Sequence, residues 1–249
     1  MTSFFSKKQP IITFSCHDWA IRTHAPILPA SEYIPQSFKD LPTGKICPFD
    51  TDKIFSNLTA KNCPAINNLL TTGYILPAWC DIEIDFQDDS ITMKYSNSDY
   101  GHEIHTQDQF QSIIGDQFEV RLDVKLNSPW HIHTASNYSC MWIPIFHNNV
   151  NYQALPAILE TDVNLNQNPI NLMLFKPKKT LIKLGDPLVQ IIPFKRENIN
   201  GLSKSFSLTD QKRMKNILNL KKLSRFGWRK FIKDTPEYQL HRQDLDINE

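Results

Sequence analysis

Glycine is scarce in this chain, with 7 residues in 249, whereas proline occurs 16 times. Turns must therefore depend on proline, asparagine, aspartate and serine more than on glycine. No stretch of about 18 consecutive apolar residues occurs, so we expect no transmembrane span. The motifs G-x-x-x-x-G-K-[ST], G-x-G-x-x-G, G-x-S-x-G and H-E-x-x-H are also missing, which removes the common sequence signs of nucleotide binding, ester hydrolysis and zinc proteolysis.

Cysteine is also infrequent. The chain has 5 cysteines, an odd number, and none of them forms a C-x-x-C pair. A secreted disulfide framework favours an even number at close spacing, so we interpret these residues as free thiols. The first eight residues lack the long apolar stretch of a signal peptide. We therefore expect a cytoplasmic protein.

The charges are unevenly distributed. Residues 203 to 234 contain ten lysines or arginines and two aspartates, a net charge of +8 within a chain whose total is +1. The rest of the chain is therefore mildly acidic, and this basic tail alternates in places with aromatic residues. Such a tail is compatible with binding to nucleic acid through phosphate contacts and stacking, with lying on an anionic membrane surface, or with binding to a protein partner. The simpler alternative is a helix that packs through its apolar stripe and leaves its lysines in water.

Short segments with strand character dominate the middle of the chain. Between residues 117 and 126, apolar residues alternate with Glu119, Arg121 and Asp123. Further strands are expected at 10–14, 74–86, 91–95, 130–134, 139–146, 155–162, 170–175, 180–184 and 188–194. Short helices are expected near 64–70 and 106–115, and residues 20–62 are expected to be irregular. We predict a mainly β fold, an antiparallel, jelly-roll-like β-sandwich over residues 1–197, with a helical C-terminal extension over 198–249.

The strongest candidate for chemistry is the sequence Trp130-His131-Ile132-His133. In a strand, residues two apart point to the same face, so His131 and His133 can reach one divalent transition metal. Further ligands would come from histidines 102, 105 and 147, or from Glu103 or Asp123, and the sequence does not choose among them. The alternative is two ordinary histidines on a solvated strand face.

A second candidate site is the pair Glu160 and Asp162, which would share one face of the strand expected at 155–162. These carboxylates either bind a ligand or face water.

A pattern of residues extends from position 129 to position 197. It comprises Pro129-Trp130, Thr134, Asn137-Tyr138-Ser139, 156–162, Gly185-Asp186-Pro187 and 193–196. In order and spacing it resembles an uncharacterised family of phage and bacterial domains with no assigned activity. The resemblance implies a β-rich fold and a phage context, with the host cytoplasm as location, and it implies no catalytic residue. Residues 185–194 are also similar to the last conserved strand of dUTPase-like trimers, but the nucleotide-binding motifs of those enzymes are missing here.

Two functions are compatible with these patterns. The first is a non-catalytic binding or assembly module, which would need no cofactor and would form a homo-oligomer through a sheet face or the tail. The alternative is a cupin-like enzyme that uses a metal held by His131 and His133. A metal-free protein that forms a defined oligomer would favour the first hypothesis. About one transition metal per chain, lost when both histidines are changed to alanine, would favour the second.

Overall fold

A computed structural model gives the fold of the chain. The structure describes residues 11–42, 59–87, 90–97, 99–105, 109, 122–147, 151–164, 168–175 and 178–201, together with 203, 205, 207–209, 211–212 and 214–216. The chain divides into two compact units, Met1–Glu197 and Asn198–Glu249. In the second unit, the described residues 208–209, 211–212 and 214–216 are helical.

The first unit is mainly β. Its described strands are β1 (Ile12–Ser15), β2 (Leu28–Pro29), β3 (Tyr74–Pro77), β4 (Ile82–Phe86), β5 (Ile91–Tyr95), β6 (His102–His105), β7 (Leu122–Leu126), β8 (His131–Thr134), β9 (Tyr138–Pro144), β10 (Tyr152–Ala154), β11 (Ala157–Leu159), β12 (Ile170–Leu174), β13 (Lys178–Ile182) and β14 (Pro187–Lys195). The described helices are α1 (Trp19–His24), α2 (Gln36–Lys39) and α3 (Pro64–Thr71), with two 3-10 turns at Ala30–Tyr33 and Ala60–Asn62.

The described strands form four sheets, and every pairing within them is antiparallel. One sheet pairs β1 with β8. The second has the order β10-β12-β7-β6, the third β11-β9-β14-β3-β2 and the fourth β13-β4-β5. The prediction of a mainly β, antiparallel fold with few helices is confirmed.

A common hydrophobic core receives side chains from all four sheets. Ile132, Leu172, Ile191 and Ile84, one from each sheet, are all fully buried in it. The period-two alternation of the strands produces this burial, because every second side chain points to the same face. Free thiols take part as small apolar groups, since Cys16, Cys80 and Cys140 are buried and form no disulfide.

The third sheet is assembled around β14, which lies between β9 and β3. The approach of β3 requires Gly73, whose φ is +75° and where an added Cβ would overlap the carbonyl of Ile191. Glycine is the residue that tolerates both conditions. Helix α3 ends just before it, and Pro64 occupies its first turn, as the sequence predicted.

The predicted strand at 74–86 is wrong, because the structure divides it into β3 and β4, which belong to different sheets. Pro77 has no N–H for a ladder bond. The N–H of Ala78 donates to the carbonyl of Asp186 at 2.8 Å, and the N–H of Gly185 donates to the carbonyl of Ala78 at 2.8 Å. These two bonds to the turn before β14 replace the ladder bonds that a continuous strand would make.

The prediction that residues 20–62 are irregular is also wrong in part, because α1, α2 and β2 lie there. Helix α1 begins where the carboxylate of Asp18 accepts hydrogen bonds from the N–H groups of Ala20 and Ile21, at 2.8 and 3.3 Å. The helix predicted at 106–115 lies outside the described residues except for Gln109, and so does most of the basic tail.

Candidate assembly surface

Three apolar side chains lie next to one another on the outer face of the third sheet. Met141 of β9 is opposite Ile158 of β11 on one side and opposite Ile192 of β14 on the other. Their neighbours Trp142 and Ile191 point to the opposite face and are buried in the core. Ile158 is 63% exposed and Met141 is 38% exposed, while Ile192 is half-buried. We call Ile158, Met141 and Ile192 the apolar row.

The other end of the same face is covered. The side-chain amide of Gln190 donates to the carbonyls of Leu69 and Thr72 at 2.7 and 2.6 Å, which fixes the C-terminal end of α3 against the sheet. Ile75, on the same face as Gln190, forms a small second core with Ala30 and Ile145. The described residues therefore cover the β3 end of this face, and the apolar row at the β11 end remains exposed.

The apolar row reaches the edge of the sheet. Among the described strands β11 pairs only with β9, so it is the terminal strand. It consists of alanine, isoleucine and leucine, with no charged residue. Edge strands commonly carry lysine or other charges that prevent pairing with another chain, and β11 has none of these.

The two histidines of the predicted metal site lie on one face of β8. Their rings stack with centroids 6.3 Å apart and an interplanar angle of 15°. A third imidazole, that of His17, meets the ring of His131 edge-on at 6.4 Å. His17 could not be identified from the sequence, because only the pairing of β1 with β8 brings it close to His131. Within the described part of the chain, no group of three or more histidine, cysteine, aspartate or glutamate side chains is arranged to hold a metal ion.

The second predicted pair, Glu160 and Asp162, does not lie on a strand face, because β11 ends at Leu159 and a turn follows. The Asp162 carboxylate makes two contacts with the guanidinium of Arg196, one of them at 2.8 Å, and accepts the N–H of Asn137 at 2.9 Å. These bonds lower the pKa of Asp162, and the same carboxylate raises the pKa of Arg196. Asp162 therefore holds the turn after β11 against the end of β14, while the side chain of Glu160 is exposed.

Some residues of the resemblance meet around this ion pair. Arg196 also donates to the Ser139 hydroxyl at 3.0 Å, and the hydroxyls of Thr134 and Thr161 are 2.8 Å apart. Asn137 has a φ of +64°, a conformation that asparagine tolerates better than most residues. Positions separated in the sequence thus form one hydrogen-bonded network, and its groups are satisfied within the protein.

Other proposed metal ligands lie in the second sheet rather than beside β8. Asp123 is 1% exposed, no described residue hydrogen bonds to its carboxylate, and the Nδ1 atom of His105 is 3.6 Å from the nearer oxygen. Burial raises the pKa of Asp123 to about 7. On the same face the amine of Lys125 lies 3.0 Å from the carboxylate of Glu103, whose pKa it lowers. Lys125 and Glu103 form an ion pair, and the imidazole of His105 lies between the carboxylates of Glu103 and Asp123. No described contact joins these groups to the histidines of β8.

Comparisons with known proteins do not identify a family. No family model matches the chain, and no curated protein matches it. Among solved structures, EIAV dUTPase in its native form aligns with 54% of this chain and 83% of its own, at 9% identity and a TM-score of 0.31. A TM-score this low does not establish a common fold. Within the described residues, no helix has both the length and the apolar character needed to cross a membrane.

Proposed function

We propose that the protein is a non-catalytic assembly module that associates with a second copy of itself through the apolar row. The observation that carries this proposal is the exposure of Ile158 and Met141, side by side, at the uncharged edge of the third sheet. Fully burying an aliphatic side chain of this size contributes about 1.5–3 kcal/mol, so a surface of this kind is stabilised by contact with another apolar surface.

The polar groups support a structural role in preference to catalysis. The Asp162 carboxylate and the Arg196 guanidinium bind each other, and the described surroundings of His131 and His133 contain no group arranged to hold a metal. A carboxylate that is already paired with a guanidinium has few acceptor positions left for a substrate. Within the described part of the chain, the exposed side chains of Ile158 and Met141 have no such internal partner.

The proposal also includes the finer architecture and the location. We propose that the four sheets enclose their common core as an antiparallel, jelly-roll-like sandwich, which is supported by the presence of all four sheets in one core. We also propose a cytoplasmic location, supported by the unpaired Cys16, Cys80 and Cys140.

The test compares lysine substitutions on two edge strands. Ile158 of β11 and Leu181 of β13 each lie in a strand that is terminal among the described strands of its sheet, and they are 63% and 54% exposed. We expect the wild-type chain and Leu181→Lys to show concentration-dependent dimers in sedimentation velocity, whereas Ile158→Lys stays monomeric with unchanged circular dichroism. A wild-type chain that is monomeric at all concentrations, or an Ile158→Lys variant that dimerises like wild type, would contradict the proposal.

A further inference from the structure

The second unit, Asn198–Glu249, carries a positive charge that the first unit lacks. It contains 11 lysines or arginines and 6 aspartates or glutamates, a net charge of +5, whereas the first unit has 16 against 20, a net charge of −4. Ten of the cations and two of the acids of the second unit belong to the basic tail, residues 203 to 234. A basic segment on an otherwise acidic chain is the charge distribution of a segment that binds a polyanion.

The described part of the basic tail presents lysines to solvent on a helix. The described residues from 208 to 216 are helical, and the N–H of Gln211 donates to the carbonyl of Ser207 at 3.0 Å. Lys212 and Lys215 are exposed, and residues three apart lie on the same side of a helix. Among the described residues, no carboxylate forms an ion pair with either ammonium.

The lysines of the first unit include several that are already paired with carboxylates. The ammonium of Lys125 lies 3.0 Å from the carboxylate of Glu103, and the ammonium of Lys179 lies 3.1 Å from the carboxylate of Glu83. An ammonium held in this way must leave its carboxylate before it can neutralise a phosphate. The two described lysines of the basic tail have no such pair with a described carboxylate, so they can contact a polyanion directly.

Aromatic residues alternate with the cations further along the basic tail. Phe226, Trp228 and Phe231 occur within residues 225–231, which also contain two arginines and one lysine. Proteins that bind single-stranded nucleic acid combine cations that contact the backbone phosphates with aromatic rings that stack on the bases. A duplex hides the faces of its bases, so the aromatic residues favour the single strand.

We propose that the basic tail binds single-stranded nucleic acid without sequence preference, with its lysines and arginines on the phosphates and its aromatic side chains on the bases. This activity goes beyond assembly through the apolar row and does not depend on it, because the two use residues of different units. Binding of this kind releases counterions, and its affinity falls with salt with a logarithmic slope of about −0.7 for each phosphate contact. Six contacts correspond to a loss of about 300-fold between 50 and 200 mM salt.

Fluorescence anisotropy with a labelled oligothymidylate of about 30 nucleotides tests the phosphate contacts on the full-length chain. The variant that combines Lys212→Gln and Lys215→Gln should reduce the salt slope by about 1.4 and weaken binding at least about tenfold at 100 mM salt. The matched control combines Lys94→Gln and Lys179→Gln, two lysines of the first unit that are 79% and 61% exposed. It should leave both the slope and the affinity unchanged.

A substitution at Trp228 tests the stacking. Trp228→Leu keeps an apolar side chain but removes the ring, so it should weaken binding to the oligothymidylate at least about fivefold and change binding to a duplex of equal length much less. A wild-type chain that does not bind the oligothymidylate at 50 mM salt overturns the proposal, and so does a double lysine variant that binds like wild type. Binding to phosphatidylserine vesicles without binding to the oligothymidylate also overturns it, and assigns the basic tail to an anionic membrane surface.

Discussion

Changing Asp123 to asparagine should alter the pH dependence of stability in a direction opposite to that of most aspartates. Burial raises the pKa of this carboxyl from 3.8 to about 7 in the folded chain. In the unfolded chain the group ionises near its ordinary pKa, so between pH 4 and pH 7 the folded state holds a proton that the unfolded state has released. Wild-type stability therefore contains a term that falls as the pH rises through this interval, and Asp123→Asn lacks that term.

The size of the effect follows from the shift. Each unit of pKa difference corresponds to about 1.4 kcal/mol, so the free energy of unfolding of wild type should fall relative to the variant by up to about 4 kcal/mol between pH 4 and pH 8. Replacing the buried carboxyl group by an amide also changes the free energy of unfolding of the variant, but this change does not depend on pH.

Urea unfolding of both chains at one-unit intervals from pH 4 to pH 8 measures the difference directly. Titrations elsewhere in the chain cancel, because both proteins share them. Glu103→Gln is the matched control on the same sheet face, since the amine of Lys125 lowers the pKa of Glu103 and its contribution therefore grows with rising pH. A difference between wild type and Asp123→Asn that stays constant across the range would refute the reasoning.

Further expectations concern backbone conformation, one buried hydrogen-bonded side chain and metal content. Gly73→Ala should destabilise the fold by more than about 3 kcal/mol in urea unfolding, because the positive φ of Gly73 and the overlap of an added Cβ with β14 act together. Gly185 also has a positive φ but has open space around it, so Gly185→Ala should destabilise the fold by only about 1 kcal/mol. Equal costs at the two glycines would show that the close approach of β14 is unimportant. Gln190→Leu should cost about 1–3 kcal/mol, because two carbonyls at the end of α3 lose their donor; an unchanged urea midpoint would contradict this. Elemental analysis of the purified protein should find far less than one transition metal per chain. If it finds one equivalent of metal, and this metal is lost when both β8 histidines are changed to alanine, the metalloenzyme hypothesis is supported instead.

The strands were predictable where apolar and polar residues alternate and where turn residues limit the segment. The segment 91–95 coincides with β5, and the predicted strand at 188–194 differs from β14 by one residue at each end. Alternation did not indicate whether the polar face lies in water. The alternation predicts that the side chain of Asp123 points to the sheet face opposite the core side chains. The structure confirms this direction, but it buries the carboxylate on that face as well. Burial of a second sheet face depends on what covers it, which is a property of the fold and not of the strand.

The candidate surface was predictable only in kind. A sheet face was expected as one route to an oligomer, but Met141, Ile158 and Ile192 lie far apart in the sequence and become neighbours only through the register of three strands. Asp162 illustrates a different limit of sequence analysis. Its residue type and its spacing from Glu160 suggested a ligand site, and only the approach of Arg196 at the end of β14 shows that the carboxylate is already paired.

The central position of β14 in the third sheet has a consequence for the order of folding. This strand occupies residues 187 to 195, yet its two neighbours, β9 and β3, are made much earlier in synthesis. Until it arrives, each of them presents an unpaired edge to the surrounding solution, where such edges favour aggregation. The sheet therefore closes late, by insertion of its middle member, and a nascent chain stopped at residue 186 should need a chaperone to stay soluble.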